Sequence, residues 1–167
     1  LCGDYVVIFY PPAYHDINKA LKGEDPFLWE PETPTKIIAI PRNGDDILWF
    51  ETPAFFSWHF CNGFERDGKL IIDYVWMEKI PFAKNMNSGL EKQTRNMHRM
   101  TLDLKTKVVT DHKIGDIYCE FSRSDERLCG KPYQYGFATA SNRQWADAHG
   151  YNCTLRYTME TGEHQLW

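Results

Sequence analysis

The side chains best placed to do chemistry cluster in FFSWHFCNGFE, Phe55 to Glu65, where His59, Cys61, Asn62 and Glu65 stand among aromatic rings. An imidazole in such a run has two ordinary uses. It is a core histidine satisfied by one hydrogen bond, or it is a metal ligand whose ring is held by a neighbouring polar group. One histidine alone does not choose between them, because metal sites are built from several ligands. A second stretch, IYCEFSRSDERLCGKPYQYGFA (117–138), sets Glu120 between Cys119 and Phe121. A carboxylate buried there needs a partner, since an unpaired buried charge is costly. That partner is either a basic group such as Arg123 in an ordinary ion pair, or the N–H of a metal-bound imidazole. The second arrangement fixes the ring and raises its basicity.

The elements that must carry these residues read as strands. DYVVIFYPP (4–12) is an apolar run closed by two prolines, which predicts a buried strand with an abrupt stop. YHDINKALKG (14–23) predicts a short helix opened near Asp16 and ended by Gly23. The segment from Gly23 to Thr35, interrupted by Pro26, Pro31 and Pro34, reads as an irregular loop. Paired strand signals then flank turn sequences: Asn43-Gly44, Asp67-Gly68, Lys105-Thr106 and Glu160-Thr161-Gly162. The polar segment from 82 to 96 reads as a long surface loop. Repeated hairpins with little helix predict an all-β sandwich, barrel or propeller, and a weak likeness between TLDLKTKVV and RYTMETGEHQL favours propeller blades.

If 55–65 is one regular strand, Phe55, Ser57, His59, Cys61, Gly63 and Glu65 share a face, and Trp58, Phe60, Asn62 and Phe64 share the other. The first face is small and polar around His59, as if it lined a cavity, with Phe55 a candidate for its wall. The second is bulky, so Trp58 and Phe60 are expected to be core. Gly63 admits a bulge or the close approach of another backbone.

Composition bounds the function. A chain of 167 residues suits one domain or part of one, and 43% hydrophobic with 25% charged residues reads as globular. A net charge of -4 argues against a general nucleic-acid binder. An aromatic content of 15% favours β-structure and large apolar pockets. Cys2, Cys61, Cys119, Cys129 and Cys153 are odd in number and form no C-x-x-C pair, which argues against a disulfide framework and a structural zinc site and makes a reduced, cytoplasmic setting the default. No apolar run is long enough to span a membrane. The chain begins at Leu1 just before a strand signal and stops at Trp167 just after one, so it is expected to be an internal piece of a longer protein.

Five segments in order resemble the carotenoid cleavage oxygenase family, which includes the stilbene-cleaving dioxygenases. GDYVVIFYPP is similar to the family's strand following its second histidine, and IIAIPRNGDDILWFETP to its P-R-x-G-D…W-F segment. WHFCNGFE resembles its H-x-x-N-A-x-E motif through His59, Asn62 and Glu65. MHRMTLDLKT matches an R-x-x-x-D strand through Arg99 and Asp103. CEFSRSDERLCGKPYQYGFA matches the E-F-P-R-I…G…Y-x-Y segment through Glu120, Phe121, Arg123, Gly130, Tyr133 and Tyr135. Gly63 stands where the family has Ala, and Ser122 where it has Pro.

The resemblance implies a seven-bladed β-propeller, of which residues 1–167 would be the central portion, about three blades with short helical or loop insertions. It implies Fe(II) held by four histidines, His59 corresponding to the third, with Glu120 holding the His59 ring. The other ligands would lie before Leu1 and after Trp167. The implied activity is oxidative cleavage of a conjugated C=C bond of a carotenoid, apocarotenoid or stilbene-type substrate by dioxygen, giving two carbonyl products. Alternatives are a non-oxidative polyene isomerase of the same family and a noncatalytic propeller fragment without iron. Its partners would be an apolar conjugated small molecule and dioxygen, with no nucleic acid, and peripheral membrane contact through regions outside this chain. The piece alone is expected to be inactive, aggregation-prone and poor at holding iron. His15, His98, His112, His149 and His164 read as loop or surface residues.

Overall fold

Asp67-Gly68 shows how local sequence sets this fold. Both residues adopt positive φ, 52° and 69°, the backbone twist that a two-residue hairpin requires. The turn joins β6 (Phe60–Arg66) to β7 (Lys69–Met77) in antiparallel pairing, Arg66 opposite Lys69. The structure, a computed structural model, describes residues 1–44, 46–81, 94–142 and 150–167. His149 and most of the expected loop after Pro81 lie outside them. At its far end that expectation is corrected, because Arg95 and Asn96 already belong to a strand and are buried.

Three antiparallel sheets follow one another along the chain. The first is β1 (Tyr5–Tyr10), β4 (Thr35–Pro41) and β5 (Leu48–Thr52), in that order. The second is β6, β7, β8 (Arg95–Asp103) and β9 (Val109–Lys113). The third is β10 (Cys119–Arg123), β11 (Tyr135–Ala140), β12 (Cys153–Thr158) and β13 (His164–Leu166). Between β1 and β4 sits a small hairpin of β2 (Ala13–His15) and β3 (Phe27–Trp29), joined through α1 (Ile17–Leu21). Asp16 caps α1 by accepting from the N–H of Asn18 and Lys19, and Gly23 follows at φ 71°. The expected irregular loop thus contains a strand. Its prolines flank Phe27–Trp29 without interrupting it.

Two cores lie between the sheets. Cys2, Ile37, Ala39, Phe50, Phe55, Leu70, Ile72, Tyr74, Met100 and Leu102 join the first sheet to the second. Cys61, Phe64, Val75, Met97, Cys119, Tyr133, Leu155 and Tyr157 are among those joining the second to the third. Successive residues of β7 therefore serve opposite interfaces, Tyr74 one and Val75 the other, as strand alternation requires. The apolar run at β1 is only half buried, since Val6, Ile8 and Tyr10 are exposed while Tyr5, Val7 and Phe9 pack inward. The five cysteines are free thiols. No helix among the described residues is long and apolar enough to cross a membrane.

Candidate functional site

The site is made where β6 begins beside β10. The stretch around His59 is not the regular strand that alternation assumes. Residues 57–59 lie outside β6, and an extra residue, Cys61, is bulged between Phe60, which pairs with Tyr74, and Asn62, which pairs with Asp73. The bulge shifts every later side chain by one face. Cys61 and Phe64, expected on opposite faces, enter the same core.

Phe55 is 3% exposed and packs on Phe9 and Tyr74 in the core between the first and second sheets. Trp58 and Phe60, expected in the core, are instead 41% and 42% exposed. The reason is common to both: the irregular approach to Phe60 breaks the period on which the face assignments rested. Gly63 does meet another backbone, for a Cβ there would lie 3.1 Å from the Leu1 carbonyl oxygen.

His59 Nδ1 lies 2.8 Å from Glu120 Oε2. The carboxylate accepts, so Nδ1 carries the proton and Nε2 keeps its lone pair. Glu120 is almost fully buried, while the His59 side chain is 35% exposed. No described residue bonds Nε2. The His59 carbonyl accepts the Val75 N–H at 3.0 Å, which anchors the residue's backbone to β7. Ser122 Oγ lies 3.4 Å from the same carbonyl oxygen, a long contact that proline at this position does not make.

The backbone of β10 is bent to deliver Glu120. Phe121 has φ 56°, the left-handed region that a bulky side chain rarely adopts, and the pairing with β11 slips between Glu120 and Arg123. The Phe121 N–H turns back onto Glu120 Oε2 at 2.6 Å, so this one oxygen takes two donors. Glu120 Oε1 is buried without a partner among the described residues. The Phe121 ring, 51% exposed, lies 4.8 Å from the His59 ring. Phe121 thus gives the His59 ring an apolar neighbour. Sequence reasoning missed Phe121 as a functional position, because the turn in its backbone leaves no mark on residue type.

Asn62 does different work. Its amide donates to the Leu128 and Lys131 carbonyls at 2.9 and 3.1 Å and accepts the Gly130 N–H at 3.1 Å, clamping the loop after β10. Glu65 is exposed. Arg99 pairs with Asp73 on the neighbouring strand, and Asp103 accepts the N–H of Lys105 and Thr106 in a turn. His98 is not a surface residue: its side chain is 13% exposed and bonds Asp111 at 2.7 Å. His15 and His164 are exposed but lie on strands, and His112 is exposed on β9.

A divalent metal fits this arrangement as far as it goes. A neutral imidazole with Nδ1–H held by a carboxylate and Nε2 free is the donor a metal takes. No cluster of three or more ligating side chains occurs among the described residues, so His59 is at most one ligand of a set completed elsewhere.

A family model described as retinal pigment epithelial membrane protein matches residues 1–167. The chain is 27% identical over 172 aligned residues to the isoeugenol monooxygenase of Pseudomonas nitroreducens, covering 93% of this chain and 36% of that protein. It superposes on the lignostilbene dioxygenase of Pseudomonas brassicacearum with a TM-score of 0.85 at 26% identity, covering 99% of this chain and 38% of the other. It superposes on the cobalt-substituted apocarotenoid oxygenase of Synechocystis with a TM-score of 0.87, covering 100% of this chain and 36% of that one; at 22% identity this likeness is one of fold. The chain spans about a third of the length of the curated relatives it matches.

Proposed function

The chain belongs to the retinal pigment epithelial membrane protein family, that of the carotenoid cleavage oxygenases, and from this premise we propose that it is the His59-bearing portion of a nonhaem Fe(II) dioxygenase. The reaction is oxidative cleavage of a conjugated C=C bond in an apolar substrate of the stilbene, phenylpropenoid or apocarotenoid kind. Relatives whose names specify such substrates support this class. The complete protein would be a propeller in which the three sheets here are blades. The observation that carries the reading is the His59–Glu120 pair, which leaves Nε2 free on a partly exposed imidazole.

Fe(II), when bound, supplies activation of dioxygen for insertion across the double bond. The residues of this chain prepare for it. Glu120 holds the proton on Nδ1, which fixes the tautomer and the ring plane and keeps the Nε2 lone pair available. The left-handed turn at Phe121 fixes Glu120 in place. Phe121 presents exposed apolar surface beside the imidazole, which favours a conjugated hydrocarbon over water. No side chain here is assigned as acid or base, because cleavage to two carbonyls requires none.

The test is to incubate the full-length protein with Fe(II), stilbene-type and apocarotenoid substrates and 18O-labelled dioxygen. Two carbonyl products carrying the label are expected. A product that keeps the whole carbon skeleton would overturn the assignment in favour of isomerisation. Absence of metal from the purified, Fe(II)-loaded protein would overturn it altogether.

A further inference from the structure

Behind the His59–Glu120 pair lies a second buried polar group that the proposed chemistry has not used. Arg95, at the start of β8, is 8% exposed, and its Nη1 donates to the Tyr151 hydroxyl at 3.0 Å. Its guanidinium lies 5.7 Å from the centre of the Tyr118 ring. Tyr118 stacks on Tyr151 at 5.9 Å with an interplanar angle of 25°. Tyr151 in turn meets the ring of Phe121 edge-on at 5.6 Å, and Phe121 meets His59. These contacts form one continuous cluster from Arg95 to the imidazole.

Two atoms of this cluster are buried and unpartnered among the described residues: Glu120 Oε1 and Arg95 Nε. One is an acceptor and the other a donor. A buried polar atom left alone is costly, and two of opposite kind in one cluster point to a shared solution. Tyr151 accepts from Arg95, so its own proton remains to be given. Burial pushes the Tyr151 hydroxyl above the ordinary tyrosine range; Arg95 opposes this, and Tyr118 and the Glu120 carboxylate add to it. Tyr118 stands directly before β10 and stacks on Tyr151, which sets the tyrosine beside the strand that carries Glu120.

We propose that Tyr151 and Arg95 are positioning residues that act on His59 through Glu120, the Tyr151 hydroxyl donating to Oε1 across one water. The carboxylate then has a donor on each oxygen: His59 and Phe121 on Oε2, Tyr151 through the water on Oε1. Arg95 holds Tyr151 and supplies the positive charge that a buried carboxylate needs. This inference rests on the reading of His59 as a metal ligand. Outer partners of metal-bound histidines tune affinity in this way.

The experiment uses the full-length protein with Co(II) as probe and reads its dissociation constant in the wild type, Tyr151→Phe, Arg95→Lys, Glu120→Gln and the double variant Glu120→Gln/Tyr151→Phe. Tyr151→Phe should weaken Co(II) by about tenfold, the lower end of what loss of an outer partner does, and should shift the visible d–d bands of bound Co(II). Arg95→Lys should weaken it in the same direction. In the Glu120→Gln background the Tyr151 effect should vanish, because the group it acts through is gone. Unchanged affinity in Tyr151→Phe, or an equal loss in both backgrounds, overturns the proposal. If the wild-type protein itself takes up no Co(II), the metal reading falls and this inference with it, a pattern distinct from the other two.

Discussion

Among the described residues two carboxylates are buried, and they are treated in opposite ways. Asp73, in the middle of β7, is fully satisfied. Arg99 Nε and Nη2 meet its two oxygens at 2.7 and 2.9 Å, and the Tyr133 hydroxyl donates to Oδ2 at 2.6 Å. Glu160 then lies 3.4 Å from Arg99 and 3.3 Å from Arg66, so the network passes from the second sheet to the third and out to solvent. Its carboxylate sits on a strand whose register with β8 is unbroken. Glu120, in β10, has one oxygen crowded by two donors and the other without any, and the residue after it is held in the left-handed region. The first group holds sheets together and is closed. The second is strained, with one oxygen left open among the described residues. A buried charge whose task is structural is matched within its own neighbourhood; one whose task is to orient a ligand tolerates strain that the rest of the sheet must support.

The largest test of that contrast is to remove one partner from the closed network. Asp73→Ala leaves Arg99 buried with Glu160 alone, and should destabilise the protein by about 3–5 kcal/mol in denaturant unfolding. Removing both charges, as Asp73→Leu/Arg99→Met, should cost clearly less. If the double variant is as unstable as the single one, the network is not a mutually compensating unit.

The same network should show itself at high pH. Tyr133 is held protonated far above its ordinary range by burial and then by the Asp73 charge, and Tyr74 likewise by burial and then by Asp111, to which its hydroxyl donates at 2.9 Å. Both folded values are raised, so their contribution is whole below the unfolded tyrosine value near 10 and is lost as pH rises beyond it. The slope is about 1.4 kcal/mol per pH unit for each group. Stability followed by unfolding between pH 9 and 11 should fall steeply above 10. Flat stability there, or ultraviolet titration of all the tyrosines without unfolding, would contradict this burial.

At the open site the cost should appear in metal rather than in fold. Glu120→Gln should weaken Fe(II) or Co(II) binding about 10–100-fold and leave unfolding nearly unchanged, since it removes a charge that is incompletely paired. A large loss of stability with unaltered metal affinity would make Glu120 a second structural carboxylate and erase the contrast.

How much of this was legible in the sequence follows from range. Asp67-Gly68 announces its hairpin because the turn needs positive φ at adjacent residues, and Asp16 announces α1 because a cap acts within one turn. The burial of Glu120 could be read from its apolar neighbours, and its partnership with His59 was implied by the resemblance across 61 residues of separation. The family's order of motifs carried the rest. What could not be read is what depends on distant packing. The irregular approach before β6 left Trp58 and Phe60 exposed, the bulge at Cys61 brought Cys61 and Phe64 into one core, and nothing in FFSWHFCNGFE announces either. The register of β7 and β8 puts Asp73 directly opposite Arg99, a partnership that no local spacing announces. His98 seemed a surface residue until β9 brought Asp111 beside it. Arg95 and Tyr151 meet only because the second and third sheets pack.

The smallest effect tests the strain itself. Phe121 holds φ 56° because its N–H closes onto Glu120 Oε2 and because its ring lies between His59 and Tyr151. A residue with a Cβ gives up roughly 1–2 kcal/mol in that region, and glycine does not. Replacing Phe121 by Ala or by Gly removes the same ring contacts, so the difference between the two variants isolates the backbone. Phe121→Gly should therefore be more stable than Phe121→Ala by about 1 kcal/mol, the reverse of their order in an ordinary strand, where glycine is the weaker residue. If Ala is the more stable, the left-handed turn is not a feature of the folded protein. The account of how Glu120 reaches His59 then loses its mechanical basis, while the closed network around Asp73 is untouched.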